Sequence, residues 1–125
     1  MAAVASAPLR FPRAMRLKQG RDFKQLKAEG QRLARGCLLA NWRPLPAGES
    51  SRLGIVTGRK LGGAVVRNRA RRLLRESFRL QQHQLREPVA LVLVARASIR
   101  GLKLAEVEQD FLSVMRKAGL LKQTE

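Results

Sequence analysis

Few residues in this chain have the types and spacing needed for covalent chemistry. One histidine, His83, and one cysteine, Cys37, leave no zinc spacing, no nucleophile with its base and no intrachain disulfide. His83 falls in a polar stretch, where no carboxylate or nucleophile has a clear route to it, and reads as solvated. Cys37 stands in an apolar run and reads as a small buried hydrophobe. Asp22 and Glu29 do not form a carboxylate pair for two-metal hydrolysis. The run from Gly58 to Gly63, GRKLGG, lacks the Walker spacing. Its amides, at a helix N-terminus, still suit a single phosphate. No catalytic residue is expected in the protein itself.

What the chain does concentrate is guanidinium. From Arg59 to Arg79 there are seven arginines and one lysine against a single acid, Glu76. Placed on a helix from Ala64, the stretch separates into two sides. Val66, Ala70, Leu73, Leu74, Ser77 and Leu80 form an apolar arc. Asn68, Arg72, Arg75 and Arg79 lie opposite, flanked by Arg69 and Arg71, with Arg67 at the apolar border. Arginine makes planar bidentate pairs with phosphate and is cheaply desolvated. A merely solvated basic face is the plainer alternative. It is disfavoured because almost no acidic residue stands at helical spacing to relieve the repulsion. A polyanion would relieve it, and RNA or DNA is the expected partner.

The rest of the composition agrees. The 125 residues suffice for one domain with a modest core. Basic residues number 26 against 9 acidic, a net charge of +17, and 19 of the 26 are arginine. The excess lies in residues 1–100, with 22 basic and 5 acidic, whereas residues 101–125 hold four of each. A ribosomal or general RNA-binding module would share this charge. A DNA-bending protein fits less well, since neither a helix-turn-helix pair nor an intercalating wedge is evident. A membrane-surface helix is a third reading, but the apolar arc is needed against a sheet. Neither a secretory signal nor a membrane span fits the N-terminal residues, so the cytoplasm is the default expectation.

These arginines need a scaffold. Residues 1–15, with Pro8 and Pro12, read as a flexible basic tail. A short helix is predicted from about Arg21 to Glu29, closed by Gly30. Cys37 to Trp42 reads as a strand, Arg43 to Ser51 as an exposed hairpin loop, and Leu53 to Thr57 as a second strand. Leu53 and Ile55 take the core side of that strand, and its glycines leave the other face open. Gly62 and Gly63 break it and open the arginine helix. Past the polar run from Gln81 to Glu87, Val89 to Ala95 is continuously apolar, as in a central strand buried on both faces. A last helix fits Lys103 to Ala118, packing through Leu104, Val107, Phe111, Val114 and Met115, with a poor cap at Lys103. The sum is a small α+β or α/β sandwich with a parallel crossover.

The string from Val65 to Phe78, VVRNRARRLLRESF, preceded by Arg59-Lys60 and a glycine turn, resembles the arginine-asparagine-arginine motif of the bacterial ribonuclease P protein subunit. Arg16 to Phe23 is similar to that family's opening segment. The resemblance spans roughly Arg16 to Leu121 and implies one domain over 16–121 with a short C-terminal tail at 122–125. It implies an α+β sandwich of four strands, the ribosomal protein S5 domain 2-like arrangement, with a left-handed βαβ crossover where general rules favour the right-handed one.

The same resemblance implies function and sites. The protein would be a subunit of an endoribonuclease in which the RNA cleaves, using bound Mg2+, to remove the 5′ leader of precursor tRNA. Arg67, Asn68, Arg69, Arg71, Arg72 and Arg75 would dock on the catalytic RNA, mainly through phosphates. Asn68 would position the helix and help hold metal-bound waters. The leader would run through a cleft lined by Phe23, Lys27, Asn41, Arg59 and Lys60. Lys27 and Asn41 stand where many relatives carry aromatics, so stacking should count for less and charge for more. Trp42 stands beside Asn41; alternation points it to the opposite face, toward the core, but the sequence leaves both the core and the leader cleft open to it. No membrane and no obligate protein partner are expected.

Overall fold

The computed structural model describes residues 30–122, so the helix expected from Arg21 to Glu29 lies outside the described residues. The arrangement is a four-stranded sheet with two helices on one face. Strand β1 is Gln31–Arg35, β2 Leu38–Pro44, β3 Arg52–Val56 and β4 Val89–Ala95, with helix α1 at Ala64–Gln81 and α2 at Leu104–Lys117. The spatial order is β1-β2-β4-β3. β4 runs antiparallel to β2 and parallel to β3, and α1 forms the crossover between the parallel pair. The expected central, doubly buried strand is therefore β4: Val89, Ala90, Leu91, Val92 and Leu93 are all buried.

One expectation about the sheet needs correction. The loop after Pro44 does not close a hairpin, because β4 inserts between β2 and β3. The most apolar strand gains most from having a neighbour on either side, so it takes the middle. The hairpin instead joins β1 to β2, through Gly36 and Cys37. In β1 only Leu33 packs on the core and its other residues are exposed, so the strand carries little hydrophobic signal.

Gly36 is required twice over. Its φ is +59°, and a Cβ there would overlap the Asp110 carboxylate. That carboxylate accepts the Cys37 N–H at 3.0 Å, tying the hairpin to α2. Cys37 itself is 1% exposed. Burial, reinforced by Asp110, pushes its thiol from 9.0 up to about 12.

The main core lies between the sheet and the helices. α1 covers β3 and β4, while α2 covers β1 and β2. Leu38, Ala40 and Trp42 of β2 and Leu91 and Leu93 of β4 meet Leu74 and Phe78 of α1 and Val107, Phe111 and Val114 of α2. Trp42 is in this core, as its alternation with Asn41 predicts. Phe78 and Phe111 meet edge to face, 6.5 Å apart at 78°. The sequence-based arc placed Leu80 on the packing side, but Leu80 is half-buried and Phe78 takes the core position. Ser77 also faces the core, its hydroxyl donating to the Leu73 carbonyl at 2.9 Å.

The approach to α1 is more elaborate than a glycine break. β3 ends at Val56, and a 3-10 turn at Arg59–Leu61 then buries Leu61. Gly62 follows at φ +148°, and Gly63 caps the helix without a side chain. At the other helix, Lys103 offers no acceptor, as expected. Glu106 compensates by accepting the Lys103 N–H at 3.0 Å, the reach-back half of a capping box.

Candidate nucleic-acid interface

The outward side of α1 carries the arginines. With one face of the helix committed to the core, helical periodicity leaves Asn68 and Arg72 exposed and Arg75 and Arg79 half-exposed. Several side-chain contacts organise them. Arg71 donates from Nη1 to Asn68 Oδ1 at 2.8 Å and from Nη2 to Thr57 Oγ1, at the end of β3, at 2.7 Å. Arg69, on the opposite flank, donates from Nη2 to the Leu102 carbonyl at 2.6 Å. Arg79 grips Glu76 with two bonds of 2.8 and 2.7 Å. The Arg79 guanidinium holds that carboxyl below its usual range, and the pairing raises Arg79 in return. Both side chains remain about one-third exposed, so the pair adds little to stability.

The six predicted RNA-docking residues thus share one helix but not one stripe. Arg67 and Arg71 lean toward the β3 side, Arg69 leans toward the loop before α2, and Asn68, Arg72 and Arg75 span the crest. Asn68 orients an arginine, a role its spacing in the R-N-R triplet did not reveal. Arg67 Nε is buried without a hydrogen-bond partner among the described residues. No acidic residue occupies the first turn of α1, and its N-terminus has no side-chain cap. Arg59 and Lys60 stand exposed on the 3-10 turn just before it. Cationic side chains therefore surround a helix end that already favours anions.

A second basic region lies on the sheet face turned away from the helices. Directly paired residues share a face. The row Arg32, Asn41, Val92 and Gly54 crosses all four strands, and the next row sets Arg43 and Arg52 on either side of Ala90. Ala90 and Val92 are the centre of a small apolar cluster joined by Leu45, Val56 and Val94. Val56 joins Gly54 on this face of β3, as the alternation of the strand predicts. Asn41 is 8% exposed, and its Oδ1, like the neighbouring Arg43 Nε, is buried without a hydrogen-bond partner among the described residues. Groups left so are unusual in a folded protein and draw attention to a binding surface.

Of the five predicted leader residues, Phe23 and Lys27 lie outside the described residues. Asn41 is on the open face, and Arg59 and Lys60 are on the turn leading into α1. Sequence reasoning missed Arg32, Arg43 and Arg52. Alternation from Asn41 points to Arg43, but only the strand order brings Arg52 level with it. His83 is exposed on a 3-10 turn after α1. Among the described residues, no three of His, Cys, Asp or Glu converge as a metal site, and no helix is long and apolar enough to cross a membrane.

A protein-family model described as Ribonuclease P matches residues 11–119. The chain belongs to the ribonuclease P protein family. It is 36% identical over 110 residues to the ribonuclease P protein component of Symbiobacterium thermophilum, covering 88% of this chain and 96% of that one. The component from Syntrophomonas wolfei is also 36% identical, over 105 residues covering 84% and 87% of the two chains. Among solved structures, the RNase P protein of Thermotoga maritima gives a TM-score of 0.73 at 29% identity, covering 82% of this chain and 96% of that one. The RNase P protein of Staphylococcus aureus shares the fold, with a TM-score of 0.79 at 24% identity over 88% and 100% of the two chains.

Proposed function

We propose that this chain is the protein subunit of ribonuclease P. It binds the catalytic RNA through the outward side of α1 and the 5′ leader of precursor tRNA along the open sheet face, assisting magnesium-dependent removal of the leader. The observation that carries the reading is the crest of α1. There, Asn68 and Arg72 stand exposed on a helix whose N-terminus has no side-chain cap, and Glu76, the one carboxylate on α1, is engaged by Arg79. Such a surface is held best by phosphate. Arg67, Arg69 and Arg71 extend it to either side. Magnesium, on this reading, is held mainly by the RNA.

The leader path runs from Arg59 and Lys60 to Asn41, with Arg43 and Arg52 beside it. Its aliphatic floor and its cations give unpaired bases and their phosphates more of the contact, and aromatic stacking, expected at Phe23, counts for less. The protein supplies position and charge, and the chemistry of hydrolysis belongs to the RNA.

The test is cleavage of a precursor tRNA by the cognate catalytic RNA at low magnesium, with and without the protein. We expect cleavage at the mature 5′ end that depends on the protein and is lost when Arg69, Arg72 and Arg75 are all replaced by alanine. Tight, salt-sensitive RNA binding without stimulation would instead establish a general RNA-binding protein.

A further inference from the structure

Beside the first two turns of α1 is a notch of about 150 Å3 between the helix and the loop that follows β4. Val66, Ala70 and Ile99 form its apolar floor, Val65 its lip, and Arg69 and Arg100 its rim. The volume is about half of the ~300 Å3 at which ordinary ligand pockets begin. It suits a single flat ring system and excludes a whole cofactor. Val65 is 81% exposed, the only large hydrophobic so exposed among the described residues. The fold gains almost nothing from it, while a guest in the notch would bury it.

The electrostatics narrow the guest further. Among the described residues no carboxylate lines the notch, and Arg69, one of its lining residues, is held by the bond to the Leu102 carbonyl. A small, mainly apolar notch with two arginines among its lining residues complements a nucleotide lifted out of its stack. The base meets the aliphatic floor and the flanking phosphates meet the arginines. The notch opens on the flank of α1 opposite Thr57, away from the open sheet face assigned to the leader. We propose that it receives one unstacked base of the catalytic RNA, with Arg69 and Arg100 on the neighbouring phosphates. This rests on the RNA-binding reading above.

The experiment uses the full-length protein and its cognate catalytic RNA. Val65→Ala removes no charge, so affinity should fall roughly fivefold to tenfold with the salt slope unchanged. Arg100→Ala should reduce that slope by about one. A photoreactive group attached through Val65→Cys should cross-link to one or two unpaired nucleotides of the RNA. Cys37, buried and with its thiol raised to about 12, should escape labelling. Unchanged affinity for Val65→Ala, while Arg72→Ala still weakens binding, would overturn the notch and leave the RNA-binding reading intact. Cross-links spread over paired regions, or confined to precursor tRNA, would do the same. Self-association without RNA that is lost in Val65→Ala would assign the notch to a second copy of the chain. An unsubstituted protein that does not bind the RNA would overturn both.

Discussion

α1 and α2 lie on the same face of the sheet and touch each other through Phe78 and Phe111, yet they differ in what they offer to the solvent. α2 is electrostatically complete. Glu106 stands in its first turn, Arg116 and Lys117 stand in its last, and its N-terminus is closed by the Glu106 carboxylate. α1 has the same kind of buried side, but its first turn holds no acid and its cap is a glycine with no side chain. Most of its arginines have no carboxylate at helical spacing. The sheet and core are enough to hold α2 in place. α1 carries a repulsion that the fold tolerates and that a polyanion would remove. On the reading proposed above, the helix that meets RNA is the one whose first turn and cap leave its positive charge least balanced.

That contrast can be tested from the inside outward. The buried sides should behave alike: Phe78→Ala and Phe111→Ala should each cost about 3–5 kcal/mol in urea denaturation. Because the rings touch, the double variant should lose less than the sum. The outer sides should behave differently. Replacing Arg69, Arg72 and Arg75 by alanine should weaken binding of the catalytic RNA by about a hundredfold and flatten its salt dependence. Replacing Lys103, Arg116 and Lys117 should change affinity by no more than about threefold, though the formal charge removed is the same. Equal losses from the two sets, measured by titration over a range of salt, would mean that net charge alone governs binding.

The smallest effect concerns the uncapped end. Gly63 has extended backbone angles, φ −75° and ψ −174°, and a side chain there meets nothing within 4 Å. Gly63→Asp should therefore cap α1 and stabilise the free protein by a few tenths of a kcal/mol. It should also weaken RNA binding severalfold, because the new carboxylate occupies the site a phosphate would use. A gain in thermal stability with no loss of affinity would show that the helix end takes no part in binding.

Much of this molecule was legible in the sequence. VALVLVA reads as a central strand because it has no polar side to show. The arginine helix and the last helix follow from apolar residues at helical spacing, and Trp42 joins the core because it alternates with Asn41. β1 was not legible. QRLAR has one core-facing leucine and is a strand only because the Gly36 turn folds it onto β2. Leu80 and Phe78 were confused because both lie near the edge of the apolar arc, and the position of α2 chose between them.

By itself, the sequence determined where the charge is, which segments are amphipathic and which family motif they carry, since these depend on residues a few positions apart. Only the tertiary structure decided that β4 parts β2 from β3, which brings Arg43 and Arg52 to either side of Ala90. It also decided that Arg71 turns to Thr57 while Arg69 turns to Leu102, splitting one stripe into two flanks with a notch beneath one of them. Those outcomes depend on contacts between residues far apart in the chain, where burial of the most apolar strand outweighs any local preference.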